Sequence, residues 1–110
     1  MTDDRVGPIF SALSDPNRRY VVEALAERGE ATATELASEL PVTRQAVSKH
    51  LGALEDAGLV EGTRAGREVR YRLTPGNLDA AVSWIESVGA QWDTRLAALR
   101  RHLGSGDQTV

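Results

Sequence analysis

Cysteine is absent from these 110 residues. That excludes disulfides, thiolate metal sites and thiol redox sensing within the chain. Methionine occurs once, at position 1, and histidine twice, as His50 and His102. Two imidazoles cannot complete a zinc site without carboxylates or a second subunit, so no metal is expected. No apolar run is long enough to span a bilayer. The opening MTDDRVGPIF lacks a basic start followed by an apolar core, so no secretory signal is visible and a cytoplasmic location is expected. No nucleophile–base pair or phosphate-cradling glycine loop appears, since the glycines of GAQW and GSG stand alone. Neither an enzyme nor a cofactor is expected. Repeats, low-complexity tracts and linkers are missing too, and residues 1–110 read as a single domain with a modest core.

What is present is ordinary in bulk and uneven in detail. Hydrophobic content of 41% and charged content of 26% suit a soluble globular chain rather than a disordered one. The net charge of −3 argues at first against nucleic acid, but its distribution matters more than its sum. Met1 to Leu40 holds four Arg/Lys against eight Asp/Glu, Pro41 to Leu73 six against four, and Thr74 to Val110 three against four. The middle third is the net-positive segment, and four of its six cations lie between Arg64 and Arg72.

That segment contains TRQAVSKHLGALEDAGLV, Thr43 to Val60, which reads as a helix with two different faces. Val47, Leu51 and Leu54 recur at helical period and form an apolar back. Thr43 is placed to cap the start, and Gly58 to stop the helix where a positive φ is needed. The opposite face carries Arg44, Gln45, Ser48 and Lys49, with no carboxylate until Glu55 and Asp56. A donor-rich leading edge with apolar backing suits the major groove, where base edges offer acceptors and phosphates flank them. Gln45 suits bidentate adenine readout. Arg44 and Lys49 suit guanine or phosphate, and Arg44 is the better base reader because its planar fork matches two acceptors. His50, at the edge of the apolar stripe, reads as a packing or phosphate-contacting residue.

Upstream, Pro8 to Ser14 is a short helix candidate. Asp15-Pro16 restarts the chain as N-cap and first helical residue, and a second helix runs to about Arg28 before Gly29. Arg18 and Arg19 at its start suit phosphate or carboxylates, with carboxylate pairing expected for one of them. Thr32 and Glu35 have capping-box spacing and open a third helix, Ala33 to Leu40. Pro41-Val42 breaks it and Thr43 restarts it, which makes a helix-turn-helix over about 33–57.

After Gly58 the period changes to two. Leu59 to Arg64 and Glu68 to Leu73 read as strands about Ala65-Gly66-Arg67, a hairpin wing over about 59–73. Val69, Tyr71 and Leu73 are expected to face the core. Arg64 and Arg67 at the tip are candidates for phosphate or minor-groove contact, whereas Arg70 and Arg72 suit pairing with Glu61 or Glu68.

Thr74-Pro75 opens a last helix over about 75–103. Leu78, Ala81, Ile85, Val88, Trp92, Leu96, Leu99 and Leu103 form its stripe. Such a helix spans about 43 Å, whereas a compact body of this length has a radius of gyration of about 13 Å. One chain cannot cover that face, and the same helix of a second copy is the expected cover, joined by Ile9 and Phe10. Trp84 and Trp92 read as dimer core before they read as a ligand-stacking pair. Gly89 marks a weak point or a close contact. The tail GSGDQTV is polar and expected to be disordered. The fold class expected is mainly α with a small β-hairpin, a winged helix-turn-helix with a long C-terminal dimerisation helix.

With these parts in order, the chain resembles the ArsR-type winged-helix transcriptional regulators. The residues that carry the resemblance are ALSDPNRRYVVEAL, ELASELPVTRQAVSKHLGALEDAGLV and GREVRYRLTP, within a match from Val6 to Leu103. The resemblance implies a homodimeric repressor that binds a partly palindromic double-stranded DNA operator. Many members release DNA on binding metal. Here the family's cysteine pair would fall around Glu35 to Ser38, where no thiol stands, and Asp93 and His102 lack companions for the other metal site. The chain looks like a cysteine-free branch. A small-molecule or protein effector is left open. The alternative reading is a winged-helix protein-interaction module that does not bind DNA.

Overall fold

A computed structural model describes residues 4–104, with side chains through His102. The expectation for the tail lies outside the described residues from 105 onward. The order is α1 (Val6–Leu13), α2 (Pro16–Arg28), β1 (Ala31–Thr32), α3 (Ala33–Glu39), α4 (Arg44–Asp56), β2 (Val60–Ala65), β3 (Glu68–Leu73) and α5 (Pro75–Gly104).

Caps fix most of these boundaries. Asp15 accepts from the backbone N–H groups of Asn17 and Arg18 at the start of α2, with Pro16 as first helical residue. Gly29 ends α2 at φ 88°. The capping box of α3 is reciprocal: Glu35 N–H donates to Thr32 Oγ1 at 3.1 Å, and Thr32 N–H donates to Glu35 Oε1 at 2.9 Å. Thr43 Oγ1 accepts from the N–H of Ala46 at 3.1 Å and starts α4. Helix α1 begins two residues before the expected Pro8, since proline fits anywhere in a first turn whose N–H groups have no helical partner.

The sheet has a strand that the sequence did not announce. Its order is β1-β3-β2, all antiparallel, with Ala31 opposite Tyr71 and Thr32 opposite Arg70. Two residues are too few for a periodic signal, and only pairing across forty positions makes them a strand. The hairpin pairs Val60 with Leu73 through Ala65 with Glu68, and Gly66 turns it at φ 65°. Gly62 lies opposite Tyr71, where an added Cβ would come within 2.9 Å of the ring. The missing side chain therefore lets the tyrosine lie across β2.

One core serves all of this. Ile9, Val21, Leu25, Leu36, Val47, Leu51, Leu54 and Leu59 are fully buried. Each such side chain contributes roughly 1.5–3 kcal/mol relative to exposure. Ile9, expected with Phe10 on the dimer face, is instead sealed inside the chain's own core; Phe10 alone of the pair reaches the surface.

Helix α5 joins this body at one end only. Ala81 is buried and Leu78 packs on the core. At the joint, Gly58 has φ 77°, and the Asn77 side chain occupies the space where a Cβ at Gly58 would stand. Asn77 Nδ2 also donates to the carbonyl of Ala57 at 3.4 Å. Thr74 N–H donates to the carbonyl of Leu59 at 2.8 Å, which ties β3 to the same joint. Beyond it α5 leaves the body, and the radius of gyration rises to 19.5 Å with a longest dimension of 68 Å. Among the described residues no helix is long and apolar enough to cross a membrane.

Candidate nucleic-acid interface

The polar face of α4 is set by its apolar one. Val47, Leu51 and Leu54 have no exposed surface, so helical geometry directs Arg44, Gln45, Ser48 and Lys49 to solvent, where all four are exposed. Thr43 is exposed beside them, while its hydroxyl is occupied by the cap. His50 is half-buried, and its charge acts on Asp15 at the start of α2. There Asp15 is held below the usual carboxylate range, chiefly by the Asn17 N–H, with the charges of His50 and Arg18 among the smaller contributions.

The wing tip and the start of α4 border one cleft. It encloses about 180 Å³ and is lined by Thr34, Arg44, Ser48, Arg67, Glu68 and Tyr71, among others. Three candidate DNA-contacting residues from two elements thus meet on one surface. Arg44 is held there by a hydrogen bond from its Nε to Thr34 Oγ1 at 2.9 Å, which spans the two helices of the helix-turn-helix. Thr34 and Tyr71 carried no sequence signal for this surface, because nothing local indicates which residues flank a cleft formed by distant elements.

Ion pairing divides the arginines. Arg72 pairs with Glu61 across the strands at 3.3 Å, as its position suggested. Arg70 pairs with Glu68 at 3.7 Å, but also with Glu30 at 3.0 Å and Glu35 at 3.4 Å. Its charge is spent at the root of the wing. Arg28 joins the same group through Glu35 and Glu39. Lys49, Arg64 and Arg67 form no salt bridge with any described residue and are exposed. Within the helix-turn-helix and wing, the unpaired cations therefore sit on the exposed face of α4 and at the wing tip, and the paired ones at the root of the wing. The exposed Arg95, Arg100 and Arg101 of α5 form no salt bridge with described residues either. Arg18 and Arg19 correct the expectation of carboxylate pairing: they donate to the carbonyls of Ala12 and Leu13 and so close the end of α1.

A family metal site at the start of α3 does not fit these residues. The Glu35 carboxyl lies below its usual range, chiefly through the Thr32 N–H, with Arg70 and Arg28 adding to the effect against desolvation. A carboxylate committed to a cap and two guanidinium groups is no free ligand. Among the described residues no three of His, Cys, Asp and Glu gather as a cation site.

On α5 the expected dimerisation residues separate by depth. Leu78 faces the core and Leu96 is half-buried. Ile85, Val88, Trp92 and Leu99 are 51%, 42%, 59% and 52% exposed, and Val82 joins them at 50%. Trp84 meets Phe10 edge to face, with ring centroids 5.5 Å apart.

Residues 13–63 match a family model described as a helix-turn-helix domain. Over 107 residues the chain is 34% identical to the HTH-type transcriptional regulator CmtR of Mycobacterium tuberculosis, spanning 97% of this chain and 90% of that protein. It is similar to a solved ArsR-like transcriptional regulator from Rhodococcus sp. RHA1, with a TM-score of 0.72 and 44% identity over 88% of this chain and 91% of that one. The solution structure of a homodimeric winged helix-turn-helix DNA-binding domain from Mycobacterium bovis gives a TM-score of 0.64 and 26% identity, covering 80% and 81%.

Proposed function

The chain belongs to the ArsR family of DNA-binding winged helix-turn-helix transcriptional regulators, and from that premise we propose that it works as a homodimeric repressor of a partly palindromic operator. Two α4 helices enter successive major grooves about 34 Å apart on one face of the duplex. Arg44 and Gln45 read base edges, and Ser48 and Lys49 hold the groove walls. Arg64 and Arg67 of each wing bind phosphates or the neighbouring minor groove, and Thr43 and His50 lie at the margin of the contact. The second copy covers Phe10, Ile85, Val88, Trp92, Leu96 and Leu99.

The observation that carries this reading is the segregation of charge. Within the helix-turn-helix and wing of an acidic chain, Lys49, Arg64 and Arg67 form no ion pair with described residues, and Arg67 borders the cleft at the exposed start of α4, while Arg28, Arg70 and Arg72 are paired elsewhere. A mere interaction module has no need of that arrangement. Binding energy from such cations comes from counterion release and depends steeply on salt.

Selection of bound fragments from the host genome yields the operator, and anisotropy titrations at several salt concentrations test the roles. Arg44→Ala or Gln45→Ala is expected to relax the choice among sequences. Arg67→Ala is expected to weaken operator and scrambled duplexes alike and to lower the salt slope by about one. A wing variant that loses sequence preference as severely as an α4 variant contradicts the assignment. Absence of any selected duplex returns the protein-interaction alternative.

A further inference from the structure

Resting on the reading that Arg44 contacts bases, we infer that Thr34 is a specificity-determining residue, which acts by aiming the Arg44 guanidinium without contacting the base itself. A free arginine side chain samples many rotamers, and holding it still against a base edge sacrifices that freedom on binding. Here part of the freedom is already gone. Arg44 Nε donates to Thr34 Oγ1 at 2.9 Å, and Thr34 belongs to α3, the helix that buttresses α4 from within the same motif.

The choice of nitrogen matters. With Nε engaged, the two terminal nitrogens remain available, and they form the pair that meets guanine O6 and N7 end on. No described carboxylate forms a salt bridge with Arg44 to compete for them. The other polar side chains lining the cleft are the hydroxyls of Thr32, Ser48 and Tyr71, the Arg67 cation and the Glu68 carboxylate. The Thr32 hydroxyl accepts from the Glu35 N–H, Arg67 repels the Arg44 head, and the hydrogen bond that Arg44 makes is to Thr34. The hydroxyl of Thr34 is therefore the group that fixes the direction of the fork. Thr34 is exposed and lies outside the core, so its side chain can be changed without disturbing the fold.

Thr34→Val keeps the shape and removes the acceptor; Thr34→Ser keeps the acceptor. The test sequences a random-window duplex library after one round of selection by each variant, at two salt concentrations. Thr34→Val is expected to cut the preference for guanine at one position of each half-site by about threefold to tenfold, with the salt slope unchanged. Thr34→Ser is expected to retain the preference, and Arg44→Ala to abolish it. The double variant Thr34→Val/Arg44→Ala is expected to match Arg44→Ala alone, because the hydroxyl then has nothing to aim. If Thr34→Val keeps the full guanine preference while Arg44→Ala loses it, the arginine orients itself and the inference is wrong. A uniform loss of affinity with a shallower salt slope assigns Thr34 to phosphate and is equally fatal. Retention of the preference by Arg44→Ala overturns the base-reading role itself, and this inference with it.

Discussion

Helices α4 and α5 solve opposite problems. In α4 the apolar stripe is consumed inside the chain: Val47, Leu51 and Leu54 are wholly buried, and only polar groups face outward. In α5 the stripe is continuous in sequence but is spent inside the chain only at Leu78 and Ala81. From Val82 to Leu99 its large side chains stand largely in water. Identical periodicity thus has two meanings, and length separates them. Thirteen residues fit against this body, whereas thirty extend beyond it. The lesson is that a helical stripe reports the need for cover and leaves its source to geometry.

Lost cover costs most in the core. Leu51→Ala is expected to remove about 2–5 kcal/mol of stability, read as a lower urea midpoint, and to abolish DNA binding with it. The same kind of change on α5 is expected to spare the fold and strike assembly. Trp92→Glu should raise the dimer dissociation constant by more than about thirtyfold, the size of an interface hot spot, while far-UV circular dichroism stays unchanged. Sedimentation at several concentrations measures it, and a Trp92→Glu protein that remains dimeric removes α5 from the interface.

The smallest effect belongs to the caps. Asp15 and Glu35 titrate lower in the folded chain than in the unfolded one. The folded state therefore binds fewer protons as pH falls, and the stabilisation is complete above the ordinary carboxylate range, near pH 4, and lost below it. Melting temperatures between pH 7 and pH 3 are expected to fall less steeply in Asp15→Asn/Glu35→Gln than in the unaltered protein.

The parts legible in the sequence were those governed by neighbours along the chain. Asp15-Pro16, Thr32 with Glu35, Thr43 and Gly66 set their termini or turns through contacts within a few residues, and those elements start or turn where the residues indicated. What escaped depends on distance. Ala31-Thr32 is a strand only because Tyr71 and Arg70 lie alongside. Ile9 and Phe10 are adjacent in sequence, yet one is sealed in the core and the other forms part of the surface. Arg70 looked like its neighbours in the wing until Glu30, forty positions earlier, came within 3.0 Å. Arg18 and Arg19 found carbonyls at the end of α1 instead of carboxylates, because a helix terminus supplies acceptors that no side-chain inventory counts.

The joint at Gly58 and Asn77 makes a lever of the molecule. A glycine whose missing side chain is replaced by a neighbour's amide leaves little slack between the end of α4 and the root of α5. The arm beyond it measures about 40 Å at 1.5 Å per residue, so each degree of tilt at the pivot sweeps its far end through about 0.7 Å. In the proposed dimer, motion imposed at the tips is correspondingly geared down at α4, so that a fine adjustment of its spacing would be enough to match or miss a helical repeat of the duplex.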